Sequence, residues 1–538
     1  MKIFIKTANE RDKMNKVFKI ALLIALVCVI VPLCVWGVSR VMLKNAETTF
    51  VSGSVEEISW SAQQTYDPLD ESLYHTFDVP KGTPFRVLAL TDIHYRNGGW
   101  YGTWALNYQN DKTDSDIRKL VQEADPDLII VCGDIETGTL NDKNYAHFVA
   151  LMDDIGVPWT IVFGNHDAEH RADKAALARC VMQSACAVFR QGPTNLGIAQ
   201  SECLDPSLYD PAVDPYAGGL GNTVIHLRDP GSGEIYYAFI LMDTGDWQNL
   251  LSNQTAKNRA DLGARPYSRT GVGLTNRQIE WYKWVVDGLT SYNRSVGVSA
   301  GQSTPESMLI CHIGMKAMDY AAILSQYENS WGGHYTAGGY PNNDLPFHTE
   351  AEWSRPADRP YIEYDTSDER ITSDPDLMEK VDQYNANAAE KEGNDAIAQY
   401  WILADNTQRT DYLNGKNETY PNPLHIRELV AVIDRAYAVH RENDLFLRAV
   451  LEKGSTNRIV TGHNHCDGYE VVFDGITYTS VVKTGDIYCD KECDMGNHGG
   501  SLFVITENHG EISVDSRAIY TKMQNIPSKR YPRPVQEW

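Results

Sequence analysis

The chain has 538 residues, of which 42% are hydrophobic and 22% charged, and its formal net charge is -24. That length calls for roughly two to four ordinary domains or one large domain with insertions, with enough apolar material for a sizeable core. The first 50 residues hold 8 basic and 3 acidic side chains, so the rest is more acidic still, which argues against a broad nucleic-acid-binding surface.

In chain order, the first element is Ile20 to Val38, 19 residues without a charge. At about 1.5 Å per residue it is long enough to cross the hydrocarbon of a bilayer. Lys2, Lys6, Arg11, Lys13, Lys16 and Lys19 precede it, and only Arg40 and Lys44 follow nearby. The positive-inside rule makes residues 1–19 a cytoplasmic basic tail, 20–38 a single transmembrane anchor, and everything beyond extracytoplasmic. A cleaved signal peptide fits less well, because the run is long and no small-x-small site follows closely.

Residues 39–80 are a polar connector. From Phe85 short apolar runs alternate with helical stretches: Phe85–Thr91, Asp127–Cys132 and Pro158–Phe163 are strands, with helices near Asp116–Ala124 and Tyr145–Ile155 between them. Continuous apolar strands of this kind belong to a sheet buried on both faces. Strands resume at Tyr236–Asp243, Ser307–Cys311 and Arg458–Gly462, with a helix capped by Thr275 and another over 426–452. An Asp474-Gly475 turn and the Asn508–Gly510 turn mark two hairpins, so the C-terminal part is expected to be a β meander. Residues of about 170–222 and 320–422 break the rhythm and are insertions over the core. Of the ten cysteines, Cys132 and Cys311 lie in strand-like runs and are buried thiols.

Five of these runs end in polar motifs: Asp92-Ile93-His94, Gly133-Asp134, Gly164-Asn165-His166-Asp167, His312, and Gly462-His463-Asn464-His465. Ligands of open α/β sheets gather beyond the carboxyl ends of strands. Asp92 and His94, two apart, can share one side of an extended backbone. Glycines before Asp134, Asn165 and His463 permit sharp turns and close approach. Imidazole, carboxylate and amide oxygen together suit Mn, Fe or Zn better than Ca, and seven ligands with one bridging carboxylate suit a pair of ions. Each motif alone is weak, since a lone Asp-x-His or a buried histidine is common; all five in order are not.

The order D-x-H, G-D, G-N-H-D, H, G-H-x-H resembles the calcineurin-like metallophosphoesterases, across about residues 85–507. The stretches Pro158–Asp167, Leu241–Trp247 and Gly462–Val471 look most like the purple-acid-phosphatase-like branch of plants and fungi. The resemblance implies that Asp92, His94, Asp134 and His465 hold one metal, that Asp134, Asn165, His312 and His463 hold the other, and that Asp134 bridges. His166 would face the leaving-group oxygen, supported by Asp167. The chain departs from true purple acid phosphatases at His94, where they carry glycine, and at Thr137, where they carry a tyrosine ligand. Two divalent or mixed-valence ions, Mn, Fe or Zn, are the implied cofactors.

The expected fold is an α/β sandwich of two mixed β-sheets flanked by helices, spanning 81–515 with a tail at 516–538. The expected function is hydrolysis of phosphate esters by a metal-bridging hydroxide with His166 as general acid. A phosphomonoester substrate is preferred over a diester, and no nucleic-acid partner is expected. A membrane-displayed binding module that kept the fold without turnover is the alternative. Asp243, at a strand end, fits a role behind the ligands or a turn, and His498 fits a glycine-rich loop.

Overall fold

A computed structural model of the protein describes residues 54–96, 103–137, 141–168, 172–197, 219–245, 274–314, 317–318, 445–463, 465, 469–485 and 498–522. The expected transmembrane segment, all of the 320–422 insertion and most of the helix over 426–452 lie outside these residues. Among the described residues no helix is long and apolar enough to cross a membrane.

The strands and helices alternate as β1 (His75–Asp78), β2 (Phe85–Leu90), α1 (Thr103–Ala124), β3 (Leu128–Val131), α2 (Asn141–Ile155), β4 (Trp159–Ile161), α3 (Lys174–Met182), β5 (Thr223–Arg228) and β6 (Ile235–Leu241). They continue as α4 (Asn276–Ser295), β7 (Glu306–Cys311), α5 (Leu445–Lys453), β8 (Thr456–Thr461), β9 (Tyr469–Phe473), β10 (Ile476–Ser480), β11 (His498–Asn508) and β12 (Glu511–Lys522). One sheet has seven strands in the order β1-β5-β6-β7-β8-β10-β9, and the other has five in the order β12-β11-β2-β3-β4. Both are mixed, as expected: β2, β3 and β4 run parallel in one, and β6, β7 and β8 run parallel in the other.

Strand periodicity sorts each residue to one of two cores. Val87, Ala89, Leu128 and Ile130 face the other sheet and meet Phe239, Leu241, Met308, Ile310 and Val460 across it. Their neighbours Leu88, Leu90, Ile129 and Val131 turn outward to Ile117 and Leu120 of α1 and to Tyr145 and Phe148 of α2. This double burial explains why the runs read as continuously apolar. Helix α4 covers the seven-stranded sheet together with α5, where the Tyr282 and Phe446 rings meet edge-on at 5.5 Å. Thr275 caps α4 with a capping box, its side chain accepting from the Gln278 amide while the Gln278 side chain accepts from the Thr275 amide.

Three expectations need correction. The segment read as connector enters the fold: β1 pairs in parallel with β5, and Trp60, Tyr66 and Tyr74 are buried. Tyr66 lies against Gly288 of α4, where a Cβ would come within 2.2 Å of it. Residues read as the first insertion include α3, whose Ala175, Ala176, Leu177 and Val181 belong to the outer core. The C-terminal hairpins do not form one meander. The first adds β10 beside β8 in the seven-stranded sheet, and the second adds β11 beside β2 in the other. Strand β12 carries the pairing through Lys522, beyond the expected domain limit at 515. Both hairpin turns are of the twisted kind that suits paired strands, with positive φ at Asp474 and Gly475 and at His509 and Gly510.

Asp243, at the end of β6, pairs with Lys174 of α3 at 2.9 Å, and both side chains are buried. It therefore ties a helix to a strand end. Cys132, Cys180 and Cys186 are free thiols, and Cys132 and Cys311 are buried as expected.

His226 on β5 is fully buried, 2.7 Å from the Tyr66 hydroxyl and 3.1 Å from that of Thr76. Burial, reinforced by the charges of His75 and Arg228, lowers its pKa to about 3. The folded value lies below the unfolded one, so the unfolded chain takes up the extra proton and stability falls as pH drops from 6.5 toward 3. Comparing urea midpoints at pH 7.5 and 5, His226→Gln should remove about 2 kcal/mol of the acid-induced loss. An unchanged pH slope in the variant would place the proton uptake elsewhere.

Candidate metal centre

Five loops leave the carboxyl ends of parallel strands on one rim: those after β2, β3 and β4 from one sheet and after β7 and β8 from the other. Each expected site residue lies on one of them, and the structure brings them together. Ligand atoms of Asp92, His94, Asp134 and His465 all lie within 4.8 Å of one another, and so do those of Asp134, His312 and His463. Asp134 belongs to both groups. Asn165 joins the second, with its Oδ1 3.2 Å from His312 Nε2.

The backbone reaches this convergence through strain rather than extension. Asp92, His94, Asp134 and His463 have φ of 51, 52, 55 and 70°, in the left-handed region that non-glycine residues seldom adopt. Such conformations cost on the order of 1 kcal/mol each and persist only when their surroundings hold them. Asp92 and His94 thus share a side because the chain turns, not because it is extended as their spacing suggested. The Asp92 amide donates to Gly133 O at 3.1 Å, the His94 amide to Asp134 O at 3.0 Å, and the Gly462 amide to His312 O at 3.1 Å. Neighbouring loops of each sheet therefore brace one another, and the His463 amide, 2.9 Å from Asp92 Oδ2, links the two sets.

Asp167 is the principal brace. Its Oδ2 accepts from the Gly164 amide at 2.7 Å and the Asp134 amide at 3.1 Å, and its Oδ1 accepts from the Ile135 amide at 2.8 Å. The carboxylate ties the β3 loop to the β4 loop. Burial and the charge of Asp134 raise its pKa to about 6 in spite of these donors.

The electrostatics call for a cation. Asp92 Oδ1 lies 3.0 Å from His465 Nε2 and 3.3 Å from His94 Nε2, and the two Nε2 atoms are 2.9 Å apart. Asp92 Oδ2 is already taken by the His463 amide at 2.9 Å and the Thr91 hydroxyl at 2.8 Å. Asp134 Oδ1 accepts from the His166 amide at 2.8 Å, while the buried Oδ2 makes no hydrogen bond. That oxygen sits 3.1 Å from His312 Nε2 and 3.8 Å from His94 Nε2. His312 Nδ1 lies 2.7 Å from Cys132 O, a carbonyl that can only accept, so Nδ1 carries the proton and Nε2 is free for a ligand. Lone pairs of oxygen and nitrogen thus converge on two points with nothing to neutralise them. Burial opposes charge on His312, yet the Asp134 and Asp92 carboxylates outweigh it and raise its pKa to about 9. A proton there is the poorer substitute for a metal ion. Burial lowers the His94 pKa to about 3, which keeps the ring neutral as a ligand must be. The donor set therefore fits two divalent ions that share Asp134.

The centre is closed behind and open in front. Asp92, His94, Asp134, Asn165, Asp167 and His312 are buried, whereas His463 is exposed and His166 and His465 are partly so. The His166 ring stands 5.3 Å from that of His94, at the open side. Sequence reasoning missed Thr91, Lys483 and Thr484, and read as a glycine-rich loop the place of His498. The buried His498 opens β11 and lies 2.6 Å from Gly485 O. The chain carries a signal for Lys483: a lysine inside the β-rich run Ile476–Thr484.

Glycine 164 has no room for a side chain, since a Cβ would lie 2.1 Å from Asp134 Oδ1 and 2.5 Å from the Asp134 amide nitrogen. Gly164→Ala should displace the shared carboxylate and lower bound metal from about two ions per chain to below one, by elemental analysis, with the circular dichroism unchanged. Retention of both ions would show that the Asp134 position is not what the centre depends on.

Comparison with known proteins follows the same residues. Residues 85–251 match the family described as calcineurin-like phosphoesterase. An uncharacterized protein of Schizosaccharomyces pombe is 25% identical over 184 residues, covering 32% of this chain and 31% of that protein. An Arabidopsis thaliana protein named "Probable inactive purple acid phosphatase 14" is 22% identical over 180 residues, covering 31% of this chain and 41% of the relative. The chain thus spans less than half the length of these relatives. A crystal structure of a dimetal phosphatase from Danio rerio is 11% identical and covers 82% of this chain and 99% of its own, with a TM-score of 0.35, too low to bear on the argument. The family match thus falls on the strands and loops that carry Asp92, His94, Asp134 and Asn165, and it is over residues 85–251 that the chain is similar to the calcineurin-like phosphoesterases.

Proposed function

We propose that the protein is a metal-dependent hydrolase of phosphate esters, acting on monoesters in preference to diesters. The observation that carries this reading is the pair of ligand groups sharing Asp134. When bound, two divalent ions supply charge neutralisation at a phosphoryl group and acidify a water. The chain's own residues do the rest. Asp134 would hold both ions and Asp92 one of them, and Asp167 holds the loops against the strain in them. His166, at the open side and fixed through its amide to Asp134, is positioned to give a proton to the departing alkoxide. Buried walls behind the ligands keep the dielectric low, which strengthens each of these interactions.

The alternative, a binding module without turnover, draws on the word "inactive" in the name of the Arabidopsis relative. Against it, every candidate ligand and His166 is present in this chain. One assay separates the readings. Full-length protein supplied with Mn²⁺ should hydrolyse p-nitrophenyl phosphate faster than bis-p-nitrophenyl phosphate, and chelation or Asp134→Asn should abolish both. His166→Asn should slow an alkyl phosphate by about 10²-fold or more but p-nitrophenyl phosphate far less, because nitrophenolate leaves without a proton. Metal binding with no turnover of any ester would favour the binding module.

We further propose that Ile20 to Val38 anchors the protein with the catalytic domain outside the cytoplasm, on the strength of the uncharged run and the basic residues before it. In intact cells an added protease should then remove the domain and leave a short membrane-bound stub. Full protection that is lost only on lysis would refute this topology.

A further inference from the structure

Where α2 begins, a buried asparagine outside the ligand motifs holds the chain that leaves His166. Asn141 opens α2 and is fully buried. Its Nδ2 donates to Asp167 O at 3.0 Å and to Ala172 O at 2.8 Å. Its Oδ1 accepts from the Ala172 amide at 2.7 Å and from the Asp142 amide at 3.0 Å. Both donor hydrogens and both lone pairs of the side chain are therefore used. Serine or aspartate at the start of α2 would serve the Asp142 amide equally well. Only an amide side chain can also give two hydrogens to carbonyls. The donation to Asp167 O and Ala172 O is therefore the feature that needs a function.

Two anchors hold the main chain around His166. Its own amide donates to Asp134 Oδ1 at 2.8 Å, and one residue later Asn141 takes the Asp167 carbonyl. The first anchor is the shared ligand itself. The second comes from the start of a helix. The Asp167 carboxylate has a separate hold, on the amides of Gly164, Asp134 and Ile135. Those three bonds continue to brace the ligand loops without Asn141. What depends on Asn141 is the course of the main chain just beyond His166.

We propose that Asn141 is a positioning residue for His166: by holding the Asp167 carbonyl, it fixes the place from which the His166 ring reaches the leaving-group oxygen. This rests on the phosphoesterase reading and deepens it, since it makes Asn141 matter for esters of unactivated alcohols. Misplacing an acid by about 1 Å costs on the order of 10- to 10²-fold in a step that needs its proton, and little in a step that does not.

The test uses full-length, Mn²⁺-loaded protein and two esters. Glycerol 2-phosphate releases an alkoxide that must be protonated as it leaves; p-nitrophenyl phosphate releases a phenolate that need not be. Asn141→Ala removes all four hydrogen bonds. Asn141→Asp keeps an acceptor for the two amides and removes the donors, and Asn141→Ser replaces the alanine variant should that not fold. The variants should keep about two Mn²⁺ per chain by elemental analysis, and the circular dichroism of the natural protein. Their kcat for glycerol 2-phosphate should fall about tenfold or more, and that for p-nitrophenyl phosphate less than about threefold. In the background of His166→Asn, Asn141→Ala should cause no further loss on glycerol 2-phosphate, because the acid it positions is gone. Equal slowing of both esters, losses that add to those of His166→Asn, a fall in bound Mn²⁺, or full activity of Asn141→Asp would make Asn141 a strut of the fold and overturn the proposal alone. Natural protein that turns over neither ester would overturn the phosphoesterase reading and this proposal with it.

Discussion

Asp134 stands where the loops of the two sheets meet, and its carboxylate has two separate duties. One oxygen takes the amide of His166; the other, buried and without a hydrogen bond, faces imidazoles from both sides. A buried charge in that state is tolerable only beside a compensating cation. The rest of the rim can be understood as the apparatus that holds this oxygen in place. The glycine at 164 makes room for it, Asp167 holds the amides on either side of it, and Cys132 O sets the tautomer of the histidine that approaches it.

Apparatus of this kind needs rigid support, because four ligands carry backbone strain. The support comes from the double burial of β2 and β3. Their alternate residues pack against the opposing sheet and against α1 and α2, so neither strand can slide or twist without disturbing two cores. The short hydrogen-bonded links between loops transmit that rigidity to the ligands. Strain at the rim and close packing beneath it are thus parts of one arrangement, in which packing energy holds the ligands in a geometry the free chain would not adopt.

Charge is arranged as deliberately as geometry. Among the described residues, Lys174 and Lys483 are both buried near the rim. Lys174 is matched by Asp243 at 2.9 Å and contributes little net field. Lys483 places its Nζ 3.4 Å from Asp92 O, beside the metal ligands. An acidic body with a net charge of -24 would repel an anionic substrate at long range. Attraction must therefore come from short-range positive charge inside the rim, which bound metal ions would supply.

Much of this was legible in the chain itself. Apolar runs ending in Asp92, Asp134, Asn165, His312 and His463 were recognisable because strand burial is a local property with a period of two, and a polar motif at the end of a run marks the rim. The two hairpin turns and the Thr275 cap were equally local. What the sequence could not determine is which surfaces meet. The choice of sheet for each C-terminal hairpin, the entry of residues 54–80 into the fold, and the turn of Asp167 toward backbone amides depend on contacts between distant segments. Positive φ at Asp92 and His94 also lay beyond it, because spacing alone suggests an extended chain and only the packed loops around them enforce the turn. Lys483 shows the same division: its presence in a β-rich run is a matter of sequence, but its place behind Asp92, about 390 residues away along the chain, is decided by β10 pairing beside β8, a long-range pairing with no local signature.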